Sequence, residues 1–191
     1  MSGKRGLLVV ISGPSGVGKD TIIQRLLELD PNLRYSVSYT TRKPRPGEAD
    51  GVNYTFVSRE KFEQEARAGH FLEHASYDGN LYGTPTAPVE AARAAGHDIV
   101  LKIEVKGAKQ VHERVPDAFF IFIAPPSPEE LARRQHLRGS ETHQDMTERR
   151  RIAEEEMAYA REYDYVVVND ELERAVAEVL QAIRRARERQ T

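Results

Sequence analysis

A short apolar run, a loop punctuated by glycines and a helix-forming stretch follow one another at the start of the chain. They are Leu7-Leu-Val-Val-Ile11, then Ser12-Gly-Pro-Ser-Gly-Val-Gly18, then Lys19-Asp20-Thr21 and onward to Leu29. No other feature constrains the fold as much. A buried strand that feeds straight into a helix sets the chain on the course of a parallel sheet with helical crossovers. The loop between them constrains the chemistry. Gly13 and Gly18 stand five apart with Lys19 next, the spacing of G-x-x-x-x-G-K-[ST]. Such glycines let several backbone N–H groups turn toward one anion, and the following helix offers its N-terminus to the same charge. Gly13, Pro14, Ser15, Gly16, Val17 and Gly18 are therefore expected to cradle a nucleoside triphosphate. Lys19, Asp20 and Thr21 complete that site, with the Lys19 ammonium near the outer phosphates. Asp20 departs from the pattern, which has Ser or Thr there for magnesium.

The same alternation recurs down the chain. Asp98–Val105, Ala118–Ala124 and Tyr165–Asn169 read as further strands. Helices are expected over Asp20–Leu29, Ala108–Val115 and Glu171–Arg187, and Pro125-Pro126 halts one strand. Mostly apolar strands separated by helices predict an α/β fold with a parallel sheet covered on both faces. Ligands of such sheets sit at the carboxyl ends of the strands.

Two stretches break the rhythm. Residues 35–83 are polar and turn-rich, with short strands expected over Tyr35–Thr41 and Asn53–Val57. One helix follows, with Ser58 as its N-cap and Gly69 just past its end. Residues 127–150 are dominated by arginine and polar side chains. Neither carries enough apolar residues for a core of its own, so both read as flaps on one domain. The division expected is a core of 1–37, 84–126 and 151–191, a flap of 38–83 and a lid of 127–150.

Composition narrows the setting. The 191 residues carry a net charge of −2, which argues against general nucleic-acid binding. No apolar run approaches the roughly 20 residues that span a bilayer, and Met1-Ser-Gly-Lys-Arg does not resemble a secretion signal. With no cysteine there is no disulfide or thiolate site. A cytoplasmic protein without membrane or nucleic-acid partners is the expectation, with a monomer favoured and higher oligomers left open.

A second anion site is legible in Ser36–Tyr54. Arg42 and Arg45 flank a rigid Lys43-Pro44 step, with the hydroxyls of Ser38 and Tyr54 close in sequence. Two guanidinium forks and two hydroxyls would hold a phosphate dianion. Beside a triphosphate loop, such a site suggests a phosphoryl acceptor.

With both sites in view the chain resembles the guanylate kinase family over essentially its whole length. The resemblance rests on Gly13-Pro-Ser-Gly-Val-Gly-Lys19, Ser38-Tyr-Thr-Thr-Arg-Lys-Pro-Arg-Pro-Gly-Glu48 and Asp50-Gly-Val-Asn-Tyr54. Phe71-Leu-Glu73-His74, Gly79-Asn-Leu-Tyr82-Gly-Thr84, Phe122–Ser127 and Val168-Asn-Asp170 extend it. It implies a P-loop core flanked by helices, a small α+β GMP-binding flap and a helical lid. The implied activity is ATP-dependent phosphorylation of GMP, and of dGMP, to the diphosphate, with ADP released and Mg²⁺ assisting. By this resemblance Ser38, Arg42, Arg45 and Tyr54 would hold the GMP phosphate with Tyr82 close by, and Glu73 and Thr84 would read the guanine edge. Guanine offers N–H donors that a carboxylate accepts, whereas adenine presents an acceptor at N1. Glu73 is expected at the close of a helical turn. Arg134, Arg138 and Arg149 of the lid would meet the ATP phosphates, and Asn169 would lie near adenine. Lys19, Arg42 and the lid arginines are then the groups that carry the chemistry.

One further departure accompanies Asp20. Many members of the family carry Asp-x-Asp where this chain has Lys102-x-Glu104. A charge has thus appeared at Asp20 and reversed at Lys102, and the two changes are expected to compensate. Asp20 would act as a magnesium-side carboxylate balanced by Lys102, while Glu104 keeps an acidic role near GMP. Two other readings stand beside this one. Ribose 1,5-bisphosphate phosphokinases resemble the family and share Gly-Lys-Asp in the loop, and guanylate-kinase-like binding modules use the flap to hold protein partners.

Overall fold

The computed structural model describes residues 4–77, 79–137, 151 and 154–190. Five strands form one fully parallel sheet: β1 (Leu8–Ser12), β2 (Leu33–Tyr35), β7 (Asp98–Lys102), β8 (Phe119–Ala124) and β9 (Tyr165–Val168), in the order β2-β7-β1-β8-β9. The strand that carries the phosphate loop lies at its centre. Its side chains alternate between two hydrophobic cores, as a period of two requires. Val9 and Ile11 face α1 (Lys19–Leu29) and the C-terminal helix α6 (Leu172–Arg189). Leu8 and Val10 face α3 (Thr86–Ala94) and α4 (Val105–Arg114). β1 is buried throughout because both of its faces are covered, as the apolar runs predict.

A second sheet stands apart, with order β4-β3-β6-β5. It is built from β3 (Tyr39–Thr40), β4 (Thr55–Phe56), β5 (Phe71–Tyr77) and β6 (Asn80–Pro85), with α2 (Arg59–Arg67) against β5. Ser58 caps α2, its hydroxyl accepting from the Lys61 N–H at 3.2 Å, and Gly69 follows with φ of +72°. Helix α5 (Pro128–Leu137) leaves the main sheet after β8.

The structure corrects the sequence reading in several places. The strand expected over Tyr35–Thr41 is divided between the two sheets, because β2 pairs with β7 and β3 pairs with β4 and β6. Ser36–Ser38 is the step from one sheet to the other. Phe71–Tyr77 is a strand, not the close of a helical turn. The helix α3 stands in addition to the helices expected from the sequence. The strand from Asp98 ends at Lys102, so Glu104 stands at the N-cap position of α4.

Candidate active site

The phosphate loop occupies the carboxyl end of β1, where the parallel sheet places its ligands. Gly18 adopts φ of +101°, which lets the chain turn into α1. A side chain there would also collide with the Asn169 amide nitrogen, 2.6 Å from where its Cβ would stand. That amide donates to the Val17 carbonyl at 2.8 Å, so Asn169, just past β9, braces the loop from behind. Gln135 of α5 donates to the Ser15 carbonyl at 2.7 Å. Arg134 donates to the Asn169 carbonyl at 3.0 Å and is held along its helix by Glu130 at 2.8 Å. The base of the lid therefore sits on the loop. Arg138 and Arg149 lie outside the described residues.

Lys19 folds back over its own loop. Its ammonium donates to the carbonyl of Pro14 at 3.0 Å and to that of Gly13. Burial pushes its pKa below the ordinary lysine value, against the opposing pull of Glu156, Glu104 and Asp20. Burial also raises Glu104 and brings Glu156 to about 7, where the negative charge of Glu104 adds to the effect. Sequence reasoning missed Glu156. It belongs to a helical stretch after the lid and is buried although nothing in the Glu154-Glu155-Glu156 run singles it out. Thr21 follows on the exposed side of α1.

The second sheet carries the other group of expected site residues. Glu73 on β5 and Thr84 on β6 are directly paired across the strands. Both are buried, and the Thr84 hydroxyl donates to the Glu73 carboxylate at 2.6 Å. Burial raises the Glu73 carboxyl to about 7, opposed by its bonds from Thr84. A side chain at Gly107, in the first turn of α4, would place its Cβ 2.3 Å from Glu73 Oε2. Only glycine lets α4 come that close, a requirement invisible without the fold.

Arg42, Tyr54 and Tyr82 converge beside this pair. The Arg42 guanidinium lies 5.4 Å from the centroid of the Tyr54 ring, and the rings of Tyr54 and Tyr82 stand 5.8 Å apart. Glu48, not singled out by sequence, grips Arg42 with both carboxylate oxygens at 2.8 and 3.0 Å. It also accepts the Arg45 N–H at 2.7 Å. The bond from Arg42 holds Glu48 below the usual carboxylate range. Ser38 is buried at the step between the sheets, and the Arg45 side chain lies on the exposed side of this loop.

The two halves meet at Lys102. Its ammonium is ion-paired with Asp20, next to the phosphate loop, and lies 5.4 Å from the ring centroid of Tyr54, beside the second sheet. The charge exchange read from the sequence is thus a physical contact. The family profile described as guanylate kinase matches residues 5–186. A guanylate kinase of Desulfitobacterium hafniense is 51% identical over 92% of this chain and 88% of its own. The chain belongs to the guanylate kinase family. A Thermus thermophilus guanylate kinase is 51% identical over 99% of this chain and 84% of its own. The crystal structure of the Anaplasma phagocytophilum guanylate kinase superposes with a TM-score of 0.80 at 36% identity, covering 96% of this chain and 87% of that one. Among the described residues no helix is long and apolar enough to cross a membrane.

Proposed function

We propose that this site transfers the γ-phosphoryl group of ATP to GMP, giving ADP and GDP, with the roles divided as follows. Gly13–Gly18 and Lys19 hold the triphosphate. Arg42, Arg45, Ser38, Tyr54 and Tyr82 hold the GMP phosphate, and Glu73 with Thr84 reads guanine. A lone pair on a GMP phosphate oxygen attacks the γ-phosphorus while the bond to the β–γ bridging oxygen breaks and its electrons leave with ADP. That oxygen is already anionic, so no protein base is required, and positioning with charge neutralisation carries the rate. Arg134, with Arg138 and Arg149, would add positive charge around the transferring group.

The observation that carries this reading is the link between the two halves. Lys102 is ion-paired with Asp20 beside the phosphate loop and faces the Tyr54 ring of the second sheet, while Glu104 acts on both Lys19 and the buried Glu73 of the carboxylate–hydroxyl pair. A carboxylate in that pair suits the N1–H and N2–H donors of guanine and leaves adenine with an acceptor facing an acceptor. Such a mismatch costs about 1–3 kcal/mol. Neither the ribose 1,5-bisphosphate reading nor the binding-module reading is favoured.

Magnesium fits as a companion of ATP. Mg²⁺ takes one or two carboxylates and completes its shell with phosphate oxygens and water, and Asp20 offers an exposed carboxylate next to Lys19. It would neutralise charge on the outer phosphates. The deciding experiment offers GMP, dGMP, AMP, UMP and ribose 1,5-bisphosphate separately with Mg-ATP and follows ADP release. Turnover with the guanine nucleotides is expected; turnover with the sugar phosphate instead would refute the acceptor assignment.

A further inference from the structure

Lys102 ends β7, in register with Ile11 on β1, one residue before the phosphate loop begins to form. Its side chain is only 17% exposed, while that of Asp20, its ion-pair partner, is 67% exposed. On the Asp20 side the pair reaches into water, which screens it, so Asp20 is an exchangeable anchor for a largely buried ammonium. On its other side the ammonium faces the Tyr54 ring, the same ring over which Arg42 lies. Tyr35 of β2 borders it as well. Burial opposes its charge, but Tyr35, Tyr54 and Asp20 more than offset that effect and leave its pKa above the ordinary lysine value. A permanent cation therefore stands beside the ring that Arg42 also faces, with an exchangeable partner.

We propose that Lys102 is a further phosphate-binding cation of this site, held by Asp20 until the GMP phosphate enters beside Tyr54 and takes the ammonium over. A phosphate dianion carries more charge than a carboxylate and forms charge-assisted bonds of the same kind. The exchange requires only the lysine's flexible end to swing from Asp20 toward the Tyr54 side. Lys102 thereby becomes a second acceptor cation opposite Arg42, and Asp20 becomes its competitor. The inference rests on the assignment of Arg42, Tyr54 and Tyr82 to the GMP phosphate.

The test measures equilibrium binding of GMP and of guanosine by calorimetry, without ATP or Mg²⁺. The full chain is compared with Asp20→Asn, Lys102→Met, Lys102→Arg and the Asp20→Asn/Lys102→Met double variant. Removing the competitor should tighten GMP several-fold in Asp20→Asn and leave guanosine alone. The double variant should bind GMP about tenfold more weakly than Asp20→Asn, as loss of a charged hydrogen bond implies, again with guanosine unchanged. Lys102→Arg should recover part of the difference. Equal GMP affinity in Asp20→Asn and the double variant would mean that Lys102 only neutralises Asp20, and would overturn the proposal while the acceptor site stands. A wild-type chain that binds GMP no better than guanosine would overturn the phosphate assignment itself, and this inference with it. Melting temperatures of all variants separate a folding defect from a binding one, and Lys102→Gln provides a second neutral side chain if Lys102→Met melts early.

Discussion

The phosphate loop and the flap each carry a cation, and they restrain those cations differently. On the loop, Lys19 rests on the main-chain carbonyls of its own turn, and the turn is braced by Asn169 and Gln135. On the flap, Arg42 rests on a carboxylate, Glu48, which also ties down the Arg45 backbone. On the proposed roles, incoming triphosphate would replace neutral carbonyl contacts, whereas incoming GMP would compete with a full negative charge. Main-chain restraint comes with the loop's backbone. Side-chain restraint is exchangeable, because a competing anion can take the carboxylate's place on the guanidinium.

The difference is broken most severely at Lys19. Lys19→Met should lower kcat by about 10²–10³-fold, the usual cost of losing one preorganised transition-state donor. Because the lysine's partners are carbonyls of its own loop, GMP binding without ATP should be untouched. Coupled ADP release and GMP calorimetry check the two halves separately, and a parallel loss of GMP affinity would show that the halves are not independent.

Glu73 probes the acceptor side through its proton. The N–H donors of guanine need the carboxylate ionised, and Glu73 titrates at about 7 in the free protein. The KM for GMP should therefore rise as pH falls below about 7 while the KM for ATP stays flat. Glu73→Gln should cost about 10- to 100-fold in kcat/KM for GMP and abolish that pH dependence. The folded-state value lies above the unfolded one, so the free protein has the full stability of this carboxyl only below the unfolded pKa. It loses that stability as pH rises through about 7. Glu73→Gln should thus melt higher than wild type near pH 8, by an amount on the order of 1–3 kcal/mol. Thermal melts at a series of pH values, read as the difference between the two chains, would show it.

Gly107→Ala sharpens the same contact without altering charge. A methyl group 2.3 Å from Glu73 Oε2 must push the carboxylate or α4 aside. We expect a KM for GMP raised about tenfold, since overpacking costs roughly 1–3 kcal/mol, with little change in the KM for ATP. The smallest effect belongs to Glu48→Gln. It frees Arg42 from a competing charge but also loosens the loop around Arg45, and the two effects oppose each other. A change in the KM for GMP of less than about fivefold is expected, as for a charged hydrogen bond whose loss is partly offset. A fall in kcat at saturating GMP would show that Glu48 does more than hold the resting loop.

How much of this was legible depended on the range of the interactions. The central strand, the loop and α1 follow from residues adjacent in sequence, because apolar periodicity and glycine spacing act over a few residues. The strand Phe71–Tyr77 was misread. Its pattern is interrupted by buried Glu73, a polar residue that bonds to Thr84 across the sheet. The break between β2 and β3 was likewise hidden, since nothing local in Tyr35–Thr41 says that its two ends pair with different sheets. Gly107 is hidden for a related reason, since it matters through Glu73, which the fold brings near, whereas Glu48 has close neighbours in sequence whose loop conformation alone turns Arg42 and the Arg45 N–H toward it.

Contiguous motifs with local chemistry specify the class of sheet, the glycine-rich phosphate loop and the family. That Lys102 meets Asp20, that α4 crowds Glu73 and that the base of the lid braces the loop follows from tertiary packing alone. Each of these joins residues far apart in the chain, and their distances are set by how β7, α4 and α5 pack around the central strand.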